Sequence, residues 1–285
     1  MGTPHCDELQ GTIGQNAREP LAFRPATLTE VSVSYQLEGD VALITLDRPD
    51  QFNAINADLS AALRECLERA GTESRAVVLT GSGRAFCSGA DLTMIGPDTD
   101  LGVLLDDVFH PALLSIIDSS VPIVAAINGV AAGAGLGLAL ACDLRIMAES
   151  GFLTSAFTAI GLAPDSGTTW WLSHHVGVSR ALEITMTNRR VGATECADLG
   201  LCHEVVADER VVSAAVELAA TLADMVPDSL VTTRKLVHGA AAMAFLDAIA
   251  AERDQQERLG MTPEHKEGVR AFLEKRKADF RSPST

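Results

Sequence analysis

The sequence predicts an α/β fold with largely parallel strand pairing, closed by an all-helical C-terminal region. Three observations carry this. Short runs rich in Val, Ile and Leu alternate with segments of helical periodicity from about residue 31 to residue 226, the order expected of strand–helix–strand units. From Pro227 onward the strand runs cease and helical spacing continues to the end. Apolar residues make up 47% of the chain but aromatics only 4%, so the expected core is aliphatic and rich in Ala and Gly. Residues 1–26 lack periodicity and are read as a flexible N-terminal extension, residues 27–226 as the core and 227–285 as the helical region.

The elements follow in order. VSVSYQL and VALITL alternate around Gly39-Asp40, the pattern of a hairpin. DRPDQFNAIN is a loop, and Asn56 is placed to cap a helix, ADLSAALRECLERA, that ends at Gly71. RAVVLT is a buried strand and GSGRAFCSGADL a glycine-rich loop. LGVLLDDVFHPALLSIIDSS is helical, with a kink expected at Pro111. VPIVAAI is a strand, after which NGVAAGAGLGLALACD turns into a buried helix. DLRIMA is again strand. TTWWLSHH, GVSRALEITMT, ATECADLG and ERVVSAAVELAATLADMV are helical, with CHEVV a strand before the last. His174 and His175 are expected on a helix surface.

Composition excludes several function classes. A net charge of −16, from 22 basic and 38 acidic residues, argues against nucleic acid or an anionic membrane as partner. Val121–Cys142 carries no charge, but Pro122 and Asn128-Gly129 interrupt it, so a buried strand, turn and helix are expected and not a membrane span. Six cysteines form no C-x-x-C pair and no Cys/His ligand spacing; reduced buried thiols, no metal site and a cytoplasmic location are expected. MGTPHCDELQ has no apolar stretch of the kind a signal peptide needs. Gly133-Ala-Gly135-Leu-Gly137 lacks the G-x-G-x-x-G spacing of a dinucleotide site, and Ser88 lies in no G-x-S-x-G elbow.

Two glycine-flanked turns after strands remain, Cys87-Ser88-Gly89-Ala90-Asp91 and Ala132-Gly133-Ala134-Gly135. Such turns can aim backbone N–H groups at one point, the second with help from a helix N-terminus. Two converging donors make an oxyanion hole, which stabilises charge developing on a carbonyl oxygen.

Here the sequence resembles a known family. LDRPDQFNAIN, GSGRAFCSGADL, VPIVAAINGVAAGAGLGLALACDLRI, IGLAPDSGTTWWL and GVRAFLEKRKADF are similar, in order and over about residues 31–281, to the enoyl-CoA hydratase/isomerase (crotonase) family. The resemblance implies a crotonase-like spiral of β-β-α units with a helical C-terminal region, assembled as a homotrimer or a dimer of trimers. It implies an acyl-CoA substrate, with no cofactor beyond the CoA that the substrate carries. The thioester oxygen would lie on the amides of Ala90 and Ala134, with Phe52, Ala54, Ser88, Ala90, Asp91 and Leu92 along the CoA. Phe272 and Lys275 would reach the CoA from the C-terminal helix, of the same or a neighbouring subunit. That segment, HKEGVRAFLEKRKADFR, has six Lys/Arg against three acids and reads as a basic island. Asp50 stands where many members carry a basic residue.

The departures matter most. Hydratases of the family use two glutamates, and the matching positions here are Gly137 and Phe157. Small residues near Gly137 suggest room for a branched, ring-bearing or long acyl group. Asp165, in Gly161-Leu-Ala-Pro-Asp165-Ser-Gly167, matches the aspartate of members that isomerise enoyl-, dienoyl- or epoxyphenylacetyl-type CoA esters. Its other reading is an N-cap for TTWWLSHH. Moving a double bond needs one proton removed and returned on one face, which a single carboxylate can perform. Three functions are therefore weighed: an isomerase using Asp165, a hydratase or hydrolase with water held near Thr154 or Ser166, and an acyl-CoA binder without catalysis.

Overall fold

The computed structural model of the chain describes residues 32–282; the extension expected over residues 1–26 lies outside them. A hairpin opens the described chain, strands β1 (Val33–Glu38) and β2 (Val41–Leu46), with Gly39 at φ 60° in the turn between them. Helix α1 (Ala57–Glu73) starts at Asn56, whose side chain accepts the Leu59 N–H. It continues past the predicted stop at Gly71. A Cβ at Gly71 would lie 2.5 Å from the Ser120 Oγ, so this glycine serves a close helix contact and not a helix end.

The remaining strands divide between two sheets. One has the order β1-β2-β3-β5-β7-β10, with β3 (Ala76–Gly81), β5 (Ile123–Ile127), β7 (Leu144–Ala148) and β10 (Glu204–Val206) parallel to β2. The other has the order β4-β6-β8-β9, formed by Ala85–Cys87, Val130–Ala132, Phe152–Thr154 and Val191–Gly192. After β2 the chain alternates. β3, β5 and β7 each lie in the large sheet and pass straight into β4, β6 and β8 of the small one. A helix then returns the chain, so that β-β-α units wind as a spiral. The glycine-rich segment predicted as loop over Gly81–Leu92 thus contains a strand, β4, as does the turn after Asn128, β6.

Both faces of the large sheet are covered, which explains why its central strands read as unbroken apolar runs. Val77, Leu79, Ile123, Ala125 and Ile127 face the main core. Val78, Val124, Ala126 and Ile146 face helix α7 (Val211–Ala223), which presents Val211, Ala215, Ala219 and Ala223 at four-residue spacing. Arg145 is buried on the inner side. Its guanidinium donates to the carbonyls of Leu201 (2.7 Å) and Cys142 (2.8 Å), so the charge is met where helix α4 (Ala134–Ala141) ends.

Between β4 and β5 runs an interrupted helix: α2 (Leu101–Leu104), one π-helical turn over Leu105–Phe109, then α3 (His110–Ile117). The widened turn is the form taken by the irregularity expected at Pro111, which has no N–H to give to the turn before it. Helix α5 (Thr168–Thr187) is likewise broken at Gly177 (φ 72°, ψ 162°). His174 is exposed and stacked on Trp170. His175 departs from the surface role expected: it is partly buried against Trp171, and burial pushes its pKa down to about 4.

Helix α6 (Ala193–Asp198) precedes β10, and α8 (Pro227–Ala240), α9 (Phe245–Gly260) and α10 (Pro263–Glu274) complete the helical region. Arg234 of α8 ties this region to the core through the carbonyls of Ser119 (2.6 Å) and Ile116 (3.3 Å) and an ion pair with Asp143. The basic island is largely neutralised within the chain. Arg270 and Arg276 flank Glu267, Lys277 pairs with Asp224, and Arg281 pairs with Asp40 and Asp224. Among the described residues all five cysteines are free, and burial pushes the Cys87 and Cys142 thiols up to about 12. No helix among them is long and apolar enough to cross a membrane, and none of their His, Cys, Asp or Glu side chains cluster to hold a metal ion.

Candidate active site

The two glycine-flanked turns meet. Ile55 donates its N–H to Gly89 O (2.7 Å) and accepts the Asp91 N–H (2.9 Å), forming a parallel bridge with Ala90. In that geometry the intervening residue's own N–H points away from the bridge. The Ala90 N–H therefore faces the opposite side, where Ala90 lines a cavity of about 180 Å³. Gly133 follows β6 at φ 53°, ψ −129°, and Ala134 is the first residue of α4, so the Ala134 N–H has no intrahelical acceptor. Ala134 lines the same cavity. A Cβ at Gly89 would lie 2.8 Å from Ala132 O and 3.2 Å from Ala134 N. One at Gly135 would lie 2.3 Å from Cys87 O. Only glycine permits backbones this close.

Asparagines brace these turns from behind. Asn53, fully buried and left-handed at φ 57°, accepts the Arg48 N–H (2.9 Å) and donates to Ser82 O (2.9 Å) and Ala85 O (2.7 Å). Asn128 accepts the Gly81 N–H (3.2 Å) and donates to Gly83 O (3.1 Å). Asn53 carries no such signal in the sequence, whereas Asn128, beside Gly129 at a strand end, does.

Beyond the turns the cavity is apolar. Leu101, Leu104, Leu105 and Phe109 form one wall, and Ala156, Phe157 and Leu162 another. Asp165 is the only ionisable residue among those lining it. Its Oδ1 is buried without a hydrogen-bond partner. Burial raises its pKa above the ordinary carboxylate value, while the Ser166 hydroxyl and the charge of His110 pull it part of the way back. The alternative reading of Asp165 as an N-cap is not realised. Thr168 N–H donates to the Asp165 main-chain oxygen (2.9 Å), and Gly167 stands at the N-cap with no side-chain bond.

The space at Gly137 is a correction. A Cβ there would lie 2.4 Å from Ser166 O and 3.0 Å from Ser166 Cβ. The missing side chain leaves no room for an acyl group. The turn carrying Asp165 fills that space, entering α5 through left-handed Ser166 (φ 50°) and Gly167 (φ 71°). Phe157, the other position without a glutamate, puts its ring in the cavity wall.

The structure brings Ser88, Ala90, Leu92, Ala134 and Asp165 to one cavity. Phe52 and Ala54 lie beside it on the loop that Arg48 and Asn53 hold. The Phe52 ring is partly exposed, with the Arg84 guanidinium 5.0 Å from its centroid. Asp91 is occupied with its own loop. Burial opposes its charge, but the Thr93 hydroxyl (2.7 Å) and Arg48 (2.9 Å) together hold its pKa below the ordinary value. The Thr154 hydroxyl donates to Asn188 O (3.1 Å), which turns it to the neighbouring loop. Phe272 and Lys275 do not line this cavity; Phe272 is 82% exposed, and Lys275 ends α10 in the left-handed conformation. The leucines of α2 and its π turn lie on the helical spacing LGVLLDDVF, a signal legible as an apolar face but not as a cavity wall.

Comparison with known proteins shows the family and the fold. The sequence profile of the Enoyl-CoA hydratase/isomerase family matches residues 36–283. A probable enoyl-CoA hydratase of Rhodobacter capsulatus is 41% identical, covering 87% of this chain and 97% of its own. The 1,2-epoxyphenylacetyl-CoA isomerase of Escherichia coli K12 is 35% identical over 86% of this chain and 96% of its own. The crystal structure of an enoyl-CoA hydratase from Polaromonas sp. JS666 superposes with a TM-score of 0.83 at 31% identity, over 87% of this chain and 99% of that one.

Proposed function

The chain belongs to the enoyl-CoA hydratase/isomerase family, and we propose that it moves a carbon–carbon double bond in an acyl-CoA thioester, with Asp165 carrying the proton. One observation bears most of the weight: a single carboxylate, its Oδ1 without a partner, lines an apolar cavity together with Ala90 and Ala134 of the two glycine-flanked turns. The N–H groups of Ala90 and Ala134 hold the thioester oxygen, stabilising the charge that develops there. Asp165 takes a proton from the α carbon of a 3-enoyl thioester and the electrons spread over a dienolate. The same proton, or one exchanged for it, returns to the γ carbon and leaves a 2-enoyl thioester. Desolvation makes Asp165 a stronger base than a carboxylate in water.

The CoA runs along Phe52, Ala54, Ser88, Asp91 and Leu92. At Phe52 the Arg84 guanidinium offers a phosphate the charge that Asp50 does not. Phe272 and Lys275 complete the CoA site from a neighbouring subunit of a homotrimer or dimer of trimers. Support comes from the apolar side chains exposed on the C-terminal helices, Phe245, Leu246, Met261, Phe272 and Leu273.

Asp165→Asn tests the chemistry. Deuterium exchange at the α and γ carbons of a 3-enoyl-CoA should fall by about a hundredfold or more, with CoA binding near normal. Turnover at the parent rate would sink the mechanism. A second reading, hydration, is favoured by the name of the Rhodobacter relative and by the buried Ser166 hydroxyl next to Asp165 in the chain. Crotonyl-CoA distinguishes it, since a hydratase yields the 3-hydroxy thioester. Silence with both substrates would leave the non-catalytic binder.

A further inference from the structure

Among the described residues Phe86, Phe109 and Phe157 are the buried phenylalanines. The first two pack in the main core, and Phe157 belongs to neither core. Its ring lies instead against the second glycine-flanked turn. Phe157 Cζ is 3.9 Å from where a Cβ would stand on Gly133, the residue before the Ala134 N–H. The ring lines the cavity that Ala134 and Asp165 also line.

The backbone fixes it there. Gly133 donates its N–H to Thr154 O (3.3 Å), and Ser155 O is 3.9 Å from the same Cβ position, so residues 154–157 run alongside the turn. Ala156 takes φ 65°, a left-handed conformation that an alanine adopts only where its surroundings impose it. The Phe157 carbonyl then accepts the N–H groups of Ile160 (3.0 Å) and Leu162 (3.1 Å).

What a ring in this place displaces is water. A buried water needs about two to four polar partners and about 30 Å³ of liquid volume. The cavity offers partners in the Asp165 Oδ1, which has none of its own, and in the turn that carries the Ala134 N–H. Ser88, the other polar side chain on the lining, donates to the Gln51 carbonyl (3.3 Å). On the Gly133 side the space is taken by the Phe157 ring. Isomerisation and hydration part company here. A proton moved from the α to the γ carbon must stay on Asp165 for the life of the dienolate, and solvent beside the carboxylate would exchange it. Hydration needs a water at the β carbon: its oxygen bonds to that carbon, its proton goes to Asp165, and a proton returns to the α carbon. Excluding water also strengthens the hydrogen bonds to the thioester oxygen.

We propose that Phe157 is a specificity-determining residue, whose ring keeps water out of the cavity beside the Ala134 turn and so confines the reaction to proton transfer. This rests on the reading of Asp165 as the proton carrier.

Three variants of the full chain test it. Phe157→Gln puts a neutral group that can hold water in the same place, Phe157→Ala opens the space, and Phe157→Leu keeps it apolar. In deuterated buffer the parent should convert 3-hexenoyl-CoA with little deuterium in the product. Deuterium per turnover should rise several-fold in Phe157→Gln and Phe157→Ala, and much less in Phe157→Leu. With 2-hexenoyl-CoA, Phe157→Gln should form the 3-hydroxy thioester and the parent should not. Crystals with the unreactive hexanoyl-CoA give a reading without turnover: ordered water should stand beside Asp165 in Phe157→Gln and not in the parent. Equal deuterium content in the parent and in whichever opened variant folds overturns the proposal while isomerisation itself stands. Ordered water beside Asp165 in the parent crystals overturns it too. A parent silent on 3-hexenoyl-CoA, with crystals that differ as expected, supports the water shield and removes the isomerase reading instead.

Discussion

At the scale of single residues, Gly137 and Asp165 are two halves of one arrangement. The resemblance makes position 137 look like a glutamate lost, and restoring it there looks like a route to hydration. The structure gives the opposite expectation. A side chain at 137 meets the backbone of Ser166 at 2.4 Å, and backbone cannot step aside as a flexible side chain can. Gly137→Ala and Gly137→Glu should both displace the Asp165 turn, with a stability loss on the order of 1–3 kcal/mol from overpacking and a fall in isomerisation. Thermal melts and the 3-enoyl-CoA assay check this together. Brisk crotonyl-CoA hydration by Gly137→Glu would contradict it. The glycine was legible in the sequence as a residue without a side chain. What fills the space was not, because Ser166 lies 29 positions away.

At the scale of elements, the short C-terminal helix α10 depends on one enclosed carboxylate. Glu267 accepts from Arg276 (2.6 Å), Arg270 (2.9 Å) and the Asp279 N–H (3.0 Å), and the first of these does most to bring its pKa down to about 2 from an ordinary 4.5. A carboxylate depressed in the folded state stabilises it fully above the unfolded value and loses that contribution as pH falls through the folded one. Hydrogen exchange of α10 should therefore accelerate between pH 4.5 and about 2. In Glu267→Gln it should be fast already at neutral pH. An α10 equally protected at pH 3 and pH 7 would contradict the assignment. The same cluster explains why a run of cations did not become a basic surface: each arginine that reads as free in the sequence found an acid brought in by the fold.

At the scale of the whole molecule, the C-terminal helices carry more exposed apolar surface than a lone chain tolerates well. Phe245 is 77% exposed, Leu246 72%, Met261 76%, Phe272 82% and Leu273 74%, in a region that patches of this kind mark for association. Light scattering should report a trimer or a hexamer. Phe272→Asp should weaken CoA binding whether it breaks the assembly or removes a contact to the nucleotide. Lys275→Glu, which forms no ion pair with another described residue in the parent, should weaken CoA binding without changing the assembly. A monomer that binds acyl-CoA tightly, indifferent to both changes, would refute the shared site.

The sequence by itself determined the elements whose signal is local. The hairpin around Gly39, the buried strands β3, β5 and β7, the Asn56 cap and the long C-terminal helices all follow from periodicity, capping chemistry and backbone freedom within a few residues. The glycines of the two turns were legible for the same reason. Tertiary structure decided the rest. Strands β4, β6 and β8 span three residues each, too few for a period to be read, and exist because each pairs with another. Whether Asp165 caps a helix or faces a cavity turned on two successive left-handed residues and on the helix packed beneath them. The packing of Leu113 on the turn that carries Asp165 joins segments 54 positions apart in the chain. Burial and charge at a site are sums over neighbours that only the folded chain assembles, and no local pattern contains them.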